Sequence, residues 1–220
     1  MTIADIFDRY LGQQRSPKRL RVAAHTPLER LPMVAIDCET TGLDPRRDRI
    51  VSIAGVSIAA GLRVVEPPIL DLLIDPRMPI PARAVAVHGI DAARVASAPT
   101  IVDAYDEILT TLSGCVVVGH YVSFDLAMLA SEARRNGRDW REPPCFDTLE
   151  LMGGLGLAAD NIDLVDMLAR LGIEPRGGRH SAAGDARMAA DLFVALARKL
   201  IGQGRGTFGG AMAAHRAPRR

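Results

Sequence analysis

The chain has 220 residues, of which 48% are hydrophobic and 24% charged, with a formal net charge of +1. That balance is ordinary for a soluble globular protein and excludes a generally basic, histone-like binder, though a local groove can be positive while the total cancels. One folded domain is expected, and the lack of an apolar run of roughly 20 residues or of a signal-like start in MTIAD predicts no membrane span and a cytoplasmic location.

Residues 2–13 set Ile3, Ile6, Phe7, Tyr10 and Leu11 at helical spacing, which predicts a short amphipathic helix. Arg15, Lys18, Arg19 and Arg21 follow as a solvated basic linker, so 1–30 reads as an N-terminal extension. The folded domain is expected over 31–201. Strands are predicted at 33–39, 49–58 and 62–65, a meander turned by Ala59-Ala60-Gly61. The apolar piece 69–76 extends that edge, and Pro76, Pro79 and Pro81 enforce a loop. Pro99 and the spacing of Ile101, Tyr105, Ile108, Leu109 and Leu112 predict a helix ending at Gly114. A buried strand at 115–120 leads into a helix over 124–135, and PPCFDTLELM begins as strand and turns helical. Helices are predicted at 163–171 and 181–200, and residues 202–220, rich in Gly, Ala and Arg without an acid, read as a flexible tail. Cys38, Cys115 and Cys145, odd in number and in apolar surroundings, read as reduced thiols. A meander followed by alternating strands and helices predicts an α/β fold: a mixed sheet with helices on both faces. Ligands of such sheets gather at the carboxyl ends of the strands.

The first strand ends in carboxylates, VAIDCETTGLD over 34–44. Side chains alternate along a strand, so Asp37 and Glu39 share one side and Cys38 points to the other. Two like charges so close raise each other's pKa. One stays protonated, or each finds a Lys or Arg, or both grip a metal ion; the plain alternative is an exposed strand end whose acids cap the next turn. VVVGHYVSFD (116–125) repeats the pattern, placing Asp125 at a helix opening. RHSAAGDA (179–186) puts His180 just before a helix and Asp185 in its first turns. Five residues along a helix turn through about 140°, so His180 is expected to reach in from the preceding loop, where Gly177-Gly178 permits movement. Taken singly, an Asp at a helix start is usually a cap or dipole partner, and a loop His is solvated.

Together and in order, DCETTGLD (37–44), GHYVSFD (119–125) and HSAAGD (180–185) resemble the DEDD superfamily of 3′→5′ exonucleases, in the subgroup with histidine in its last motif. VHGI (87–90) and FDTLEL (146–151) add two lesser landmarks, and the likeness covers 33–200. The resemblance implies a ribonuclease-H-like fold and five active-site residues: Asp37, Glu39, Asp125, His180 and Asp185. It implies that the four acids hold two Mg²⁺ or Mn²⁺ ions and that His180 is the general base. Thr40, Thr41 and Gly42 are expected at the terminal sugar, and His88 either near the terminal nucleotide or as the cap of a turn. Phe124 is either a base-stacking ring or a core residue, and Asp147 and Thr148 read as structural. One departure is Tyr121, where many relatives carry Asn, which bears on how the terminal nucleotide is handled. The implied activity is release of nucleoside 5′-monophosphates from a nucleic-acid 3′ end, with single-stranded DNA foremost. The alternatives are an RNA-trimming enzyme of the same fold and a non-catalytic nucleic-acid or polymerase-binding module. The tail carries no recognisable polymerase tether, which favours a stand-alone repair or processing enzyme.

Overall fold

The computed structural model describes residues 21–157 and 163–217. The helix expected over 2–13 lies outside them. Among the described residues six strands form one mixed sheet: β1 (Met33–Thr40), β2 (Ile50–Ala59), β3 (Arg63–Val64), β4 (Leu70–Leu73), β5 (Val116–Gly119) and β6 (Cys145–Asp147). The order is β3-β2-β1-β5-β6, with β4 also pairing to β2. β2 runs antiparallel to β1, whereas β5 and β6 are parallel to it, so β1 lies at the centre with its carboxyl end beside those of β5 and β6.

Helices cover both faces, as the sequence predicts. Val34, Ile36 and Cys38 of β1 point toward α3 (Ile101–Leu112) and α4 (Val122–Arg135), packing with Ile108, Val122 and Leu129. Met33 and Ala35 point the other way, toward α5 (Thr148–Gly154), α6 (Leu164–Arg170), α7 (Ala182–Gly202) and α8 (Phe208–His215). Asp37 and Glu39 continue this second row, so the β1 alternation aims both carboxylates at the α7 side. A register shift between Glu39 and Thr40 ends the regular pairing with β2, and such a bulge re-aims the chain as it leaves the sheet.

Two regions differ from expectation. The proline-rich stretch after β4 contains short helices, α1 (Ala82–His88) and α2 (Ala92–Val95). Pro81 sits ahead of α1, Gly89 closes it in the left-handed conformation, and the Asp91 side chain caps α2; proline is well tolerated where a helix begins. The described part of the segment after Gly202, residues 203–217, is not an extended tail, because α8 packs on the core with Ala211 and Ala214 fully buried. Its small residues permit this. A β-carbon on Gly154 would collide with the Ala214 carbonyl, so the composition that resembles disorder serves close helix approach. Leu28, placed by sequence in the extension, is likewise buried in the core, its N–H donating to the Gly206 carbonyl at 2.9 Å. Among the described residues all three cysteines are free, and no helix is long and apolar enough to cross a membrane.

Candidate functional site

At the carboxyl end of β1, one carboxylate oxygen each from Asp37, Glu39 and Asp185 lie within 4.8 Å of one another. β1 supplies the first two. Asp185 comes from the first turn of α7, whose Ser181 cap accepts the Gly184 N–H at 3.2 Å. Gly177, at φ +93°, presses on this turn, and a β-carbon there would stand 2.8 Å from the Gly184 Cα. Gly177, which sequence reading assigned with Gly178 to movement, thus allows close contact between loop and helix. His180 sits between them at φ +57° with an exposed side chain. Its main-chain N–H donates to Asp185 Oδ2 at 3.1 Å, while Asp185 Oδ1 is buried without a hydrogen-bond partner.

The three acids share a strained electrostatic environment. Burial, then Asp125, Asp185 and Glu39, hold the Asp37 carboxyl well above the usual range. Burial and the neighbouring Asp185 push Glu39 up to about 7. Asp185 is also raised by burial, with Arg179 acting in the opposite direction. Among the described residues no Lys or Arg forms an ion pair with any of the three. Like charges brought together with only the partial compensation of Arg179 oppose folding unless protons or cations are taken up. All-oxygen donors, one of them a buried acceptor without a donor, fit a hard divalent cation.

Asp125 stands outside this group of three. It lies in the first turn of α4, 3% exposed, and its carboxylate takes hydrogen bonds from the Cys38 thiol and backbone. Burial raises it to about 8 although the Cys38 bonds pull it down. It is close enough to Asp37 to be the second cause of that residue's upward shift. Asp147 fixes the helix that carries it: Oδ2 accepts the Val122 N–H at 3.0 Å and Oδ1 the Leu149 N–H at 2.9 Å.

The expected substrate residues divide. Thr40 turns its hydroxyl to the Gly42 carbonyl at 2.7 Å. Thr41 is fully buried, donating to Asp48 Oδ1 at 3.1 Å and accepting the Arg49 N–H at 3.0 Å, so its hydroxyl is engaged within the turn. Gly42 leaves room for this bond, since a β-carbon there would sit 2.5 Å from the Asp48 carboxylate. His88 accepts the Ile90 N–H at Nδ1 (3.0 Å), which leaves Nε2–H to donate to the Thr40 carbonyl at 3.3 Å. Phe124 packs partly buried against the α3–α4 core. On the other flank a cleft of about 400 Å³ is lined by Asp37, Asp185, His120, Tyr121, Asp163, Leu164 and Arg179.

The family model RNase_T, described as an exonuclease, matches residues 34–193. The chain belongs to this exonuclease family. A DNA polymerase III subunit epsilon-like protein of Rhodobacter capsulatus is 39% identical over 191 residues, 86% of this chain and 27% of that protein. The DNA polymerase III subunit epsilon of Aquifex aeolicus is 28% identical over 168 residues, covering 76% of this chain and 81% of that one. A PolC-type DNA polymerase III of Thermotoga petrophila is 31% identical over 188 residues, and this chain spans 13% of its length. The chain thus spans well under half the length of the Rhodobacter and Thermotoga relatives. Among solved structures, exonuclease X in complex with 5′-overhanging duplex DNA aligns with a TM-score of 0.61 at 23% identity, over 83% of this chain and 99% of that one. Escherichia coli exonuclease I with a dT13 oligonucleotide aligns at 0.67 and 18% identity, over 79% of this chain and 42% of that one. These likenesses bear out the ribonuclease-H-like fold.

Within this RNase_T domain the site contains residues that sequence reading passed over. Cys38, assigned to the far face, is the hydrogen-bond partner of Asp125. Asp48 closes the turn after β1. Arg179, which lines the cleft and pairs with Asp163 at 2.8 Å, immediately precedes His180, so its place next to a motif histidine was the available signal.

Proposed function

We propose that this chain is a metal-dependent 3′→5′ exonuclease that hydrolyses phosphodiester bonds at the 3′ end of DNA, single-stranded DNA foremost, and releases nucleoside 5′-monophosphates. The observation that carries this is the convergence of Asp37, Glu39 and Asp185, with one buried Asp185 oxygen free of any donor. These three residues would hold one Mg²⁺ or Mn²⁺ ion. Asp37, with Asp125 steadied by Cys38, would serve a second. Bound divalent ions offset the charge of a scissile phosphate and lower the pKa of a coordinated water. His180, exposed and joined through its main-chain N–H to Asp185, would take the proton of the attacking water. The rigid sheet fixes the spacing of the acids, and rigid placement of charged groups is what makes such a site effective. The DNA bound by the aligned exonucleases and the polymerase III membership of the relatives support a DNA substrate and leave a polymerase partner as a further part of the proposal. Free cysteines go with a cytoplasmic setting.

The test is digestion of single-stranded DNA, duplex DNA and short RNA with Mg²⁺, products resolved by length, alongside Asp37→Ala. Stepwise shortening from the 3′ end of DNA by the wild type alone supports the proposal. Preference for RNA would move it to RNA trimming, and no cleavage of any substrate would leave a binding module.

A further inference from the structure

The carboxylate cluster has two unlike flanks. β2 adjoins β1 on one side, where His88 closes against the Thr40 carbonyl. β5 adjoins it on the other, and the chain leaving β5 brings Tyr121 into the cleft shared with Asp37 and Asp185. Tyr121 is 44% exposed and its backbone is left-handed at φ 56°. Asn or Gly adopts that conformation readily, whereas a bulky side chain does so against a steric penalty. The chain therefore keeps an aromatic ring where a smaller residue is conformationally easier. The ring is also backed: the His120 ring meets it edge-on, centroids 4.8 Å apart, and the Thr148 hydroxyl holds His120 Nδ1 at 3.1 Å. An aromatic ring already fixed in place loses little freedom when a ligand stacks on it.

We propose that Tyr121 stacks on the base immediately 5′ of the scissile phosphate, and so selects 3′ ends whose second-last base is unpaired and accessible. This rests on the exonuclease function proposed above. The sequence resemblance puts the last nucleotide toward Thr40 and His88; with the cleavable phosphate at Asp37 and Asp185, the strand would then leave on the β5 side. Tyr121 stands there. Every base has a π-face, so the contact tolerates any sequence but not a base buried in a duplex stack.

The experiment compares wild type, Tyr121→Ala, Tyr121→Asn and Tyr121→Phe on single-stranded oligonucleotides with either a normal or an abasic second-last residue, reading KM and kcat, with Tm recorded for each variant. Asn keeps the left-handed backbone, so it separates loss of the ring from loss of the fold. Ala and Asn are expected to raise KM about tenfold, equivalent to about 1.4 kcal/mol, with kcat within about twofold. Phe should match wild type. The abasic residue should raise KM for wild type and not for Tyr121→Ala. A wild-type KM indifferent to the missing base, an abasic penalty that persists in Tyr121→Ala, or an unchanged KM in Tyr121→Asn overturns the stacking role while leaving the exonuclease standing. A wild type that degrades no oligonucleotide overturns both.

Discussion

The main-chain N–H of His180 donates to Oδ2 of Asp185 at 3.1 Å and leaves Oδ1 buried with no hydrogen-bond partner. An unsatisfied buried acceptor costs about 1–3 kcal/mol, and in a native protein it calls for an explanation such as a bound water or ion. Under the proposed function that explanation is a ligand position for a cation. Asp185→Asn removes one of the crowded negative charges and keeps the shape. In chelator its Tm should equal or exceed that of the wild type, whereas the rise in Tm on adding Mg²⁺ should largely vanish and activity fall by about 100-fold or more. Thermal melts with and without metal, beside an oligonucleotide assay, check both halves.

The metal-free protein should lose stability as pH rises. Glu39 is raised from 4.5 to about 7 in the fold. Between those values the folded state retains a proton that the unfolded chain has already released, so stability falls with increasing pH across that window. A divalent cation binds the deprotonated acids, so its stabilising effect should grow over the same range. Scanning calorimetry at about pH 5 and about pH 8 reads this. An equal Mg²⁺ increment at both would contradict it.

Cys38 faces away from the acid cluster yet supports it through Asp125. Cys38→Ala removes one donor from a buried carboxyl and should cost about 1–3 kcal/mol in urea unfolding, with a lower rate. Cys38→Ser retains a donor and should recover most of both. Burial and Asp125 also hold the thiol well above its ordinary pKa, so thiol reagents should label it only after unfolding.

His180→Ala should lower kcat by about 10²–10⁴-fold while leaving the metal-induced rise in Tm in place, because the bond to Asp185 comes from its main chain. His180→Asn tolerates the left-handed backbone and tests the ring alone. A near-wild-type rate in the Asn variant removes His180 from the chemistry.

Much of this was legible in the sequence. Strand alternation put Asp37 and Glu39 on one side, and the apolar run before Gly119 marked a buried strand. What stayed hidden depends on tertiary contact. The Gly- and Ala-rich segment after Gly202 carries no amphipathic signal, because its helix is accommodated by an equally small surface at Gly154. Thr41 reads as a ligand-facing hydroxyl until Asp48, seven residues on, folds back to claim it. Cys38 reads as a spectator on the far face until α4 brings Asp125 beneath it. Local pattern gives the face of a side chain; the partner that arrives there is set by the topology.

The central claim is that three acids from β1 and α7 converge to bind a divalent cation. Calorimetric titration of Mn²⁺ into chelator-stripped wild type, Asp37→Ala and Asp185→Asn measures it directly. Saturable binding by the wild type, abolished or strongly weakened in both variants, is the expected result. No binding by the folded wild type, or equal binding by all three proteins, would contradict the account.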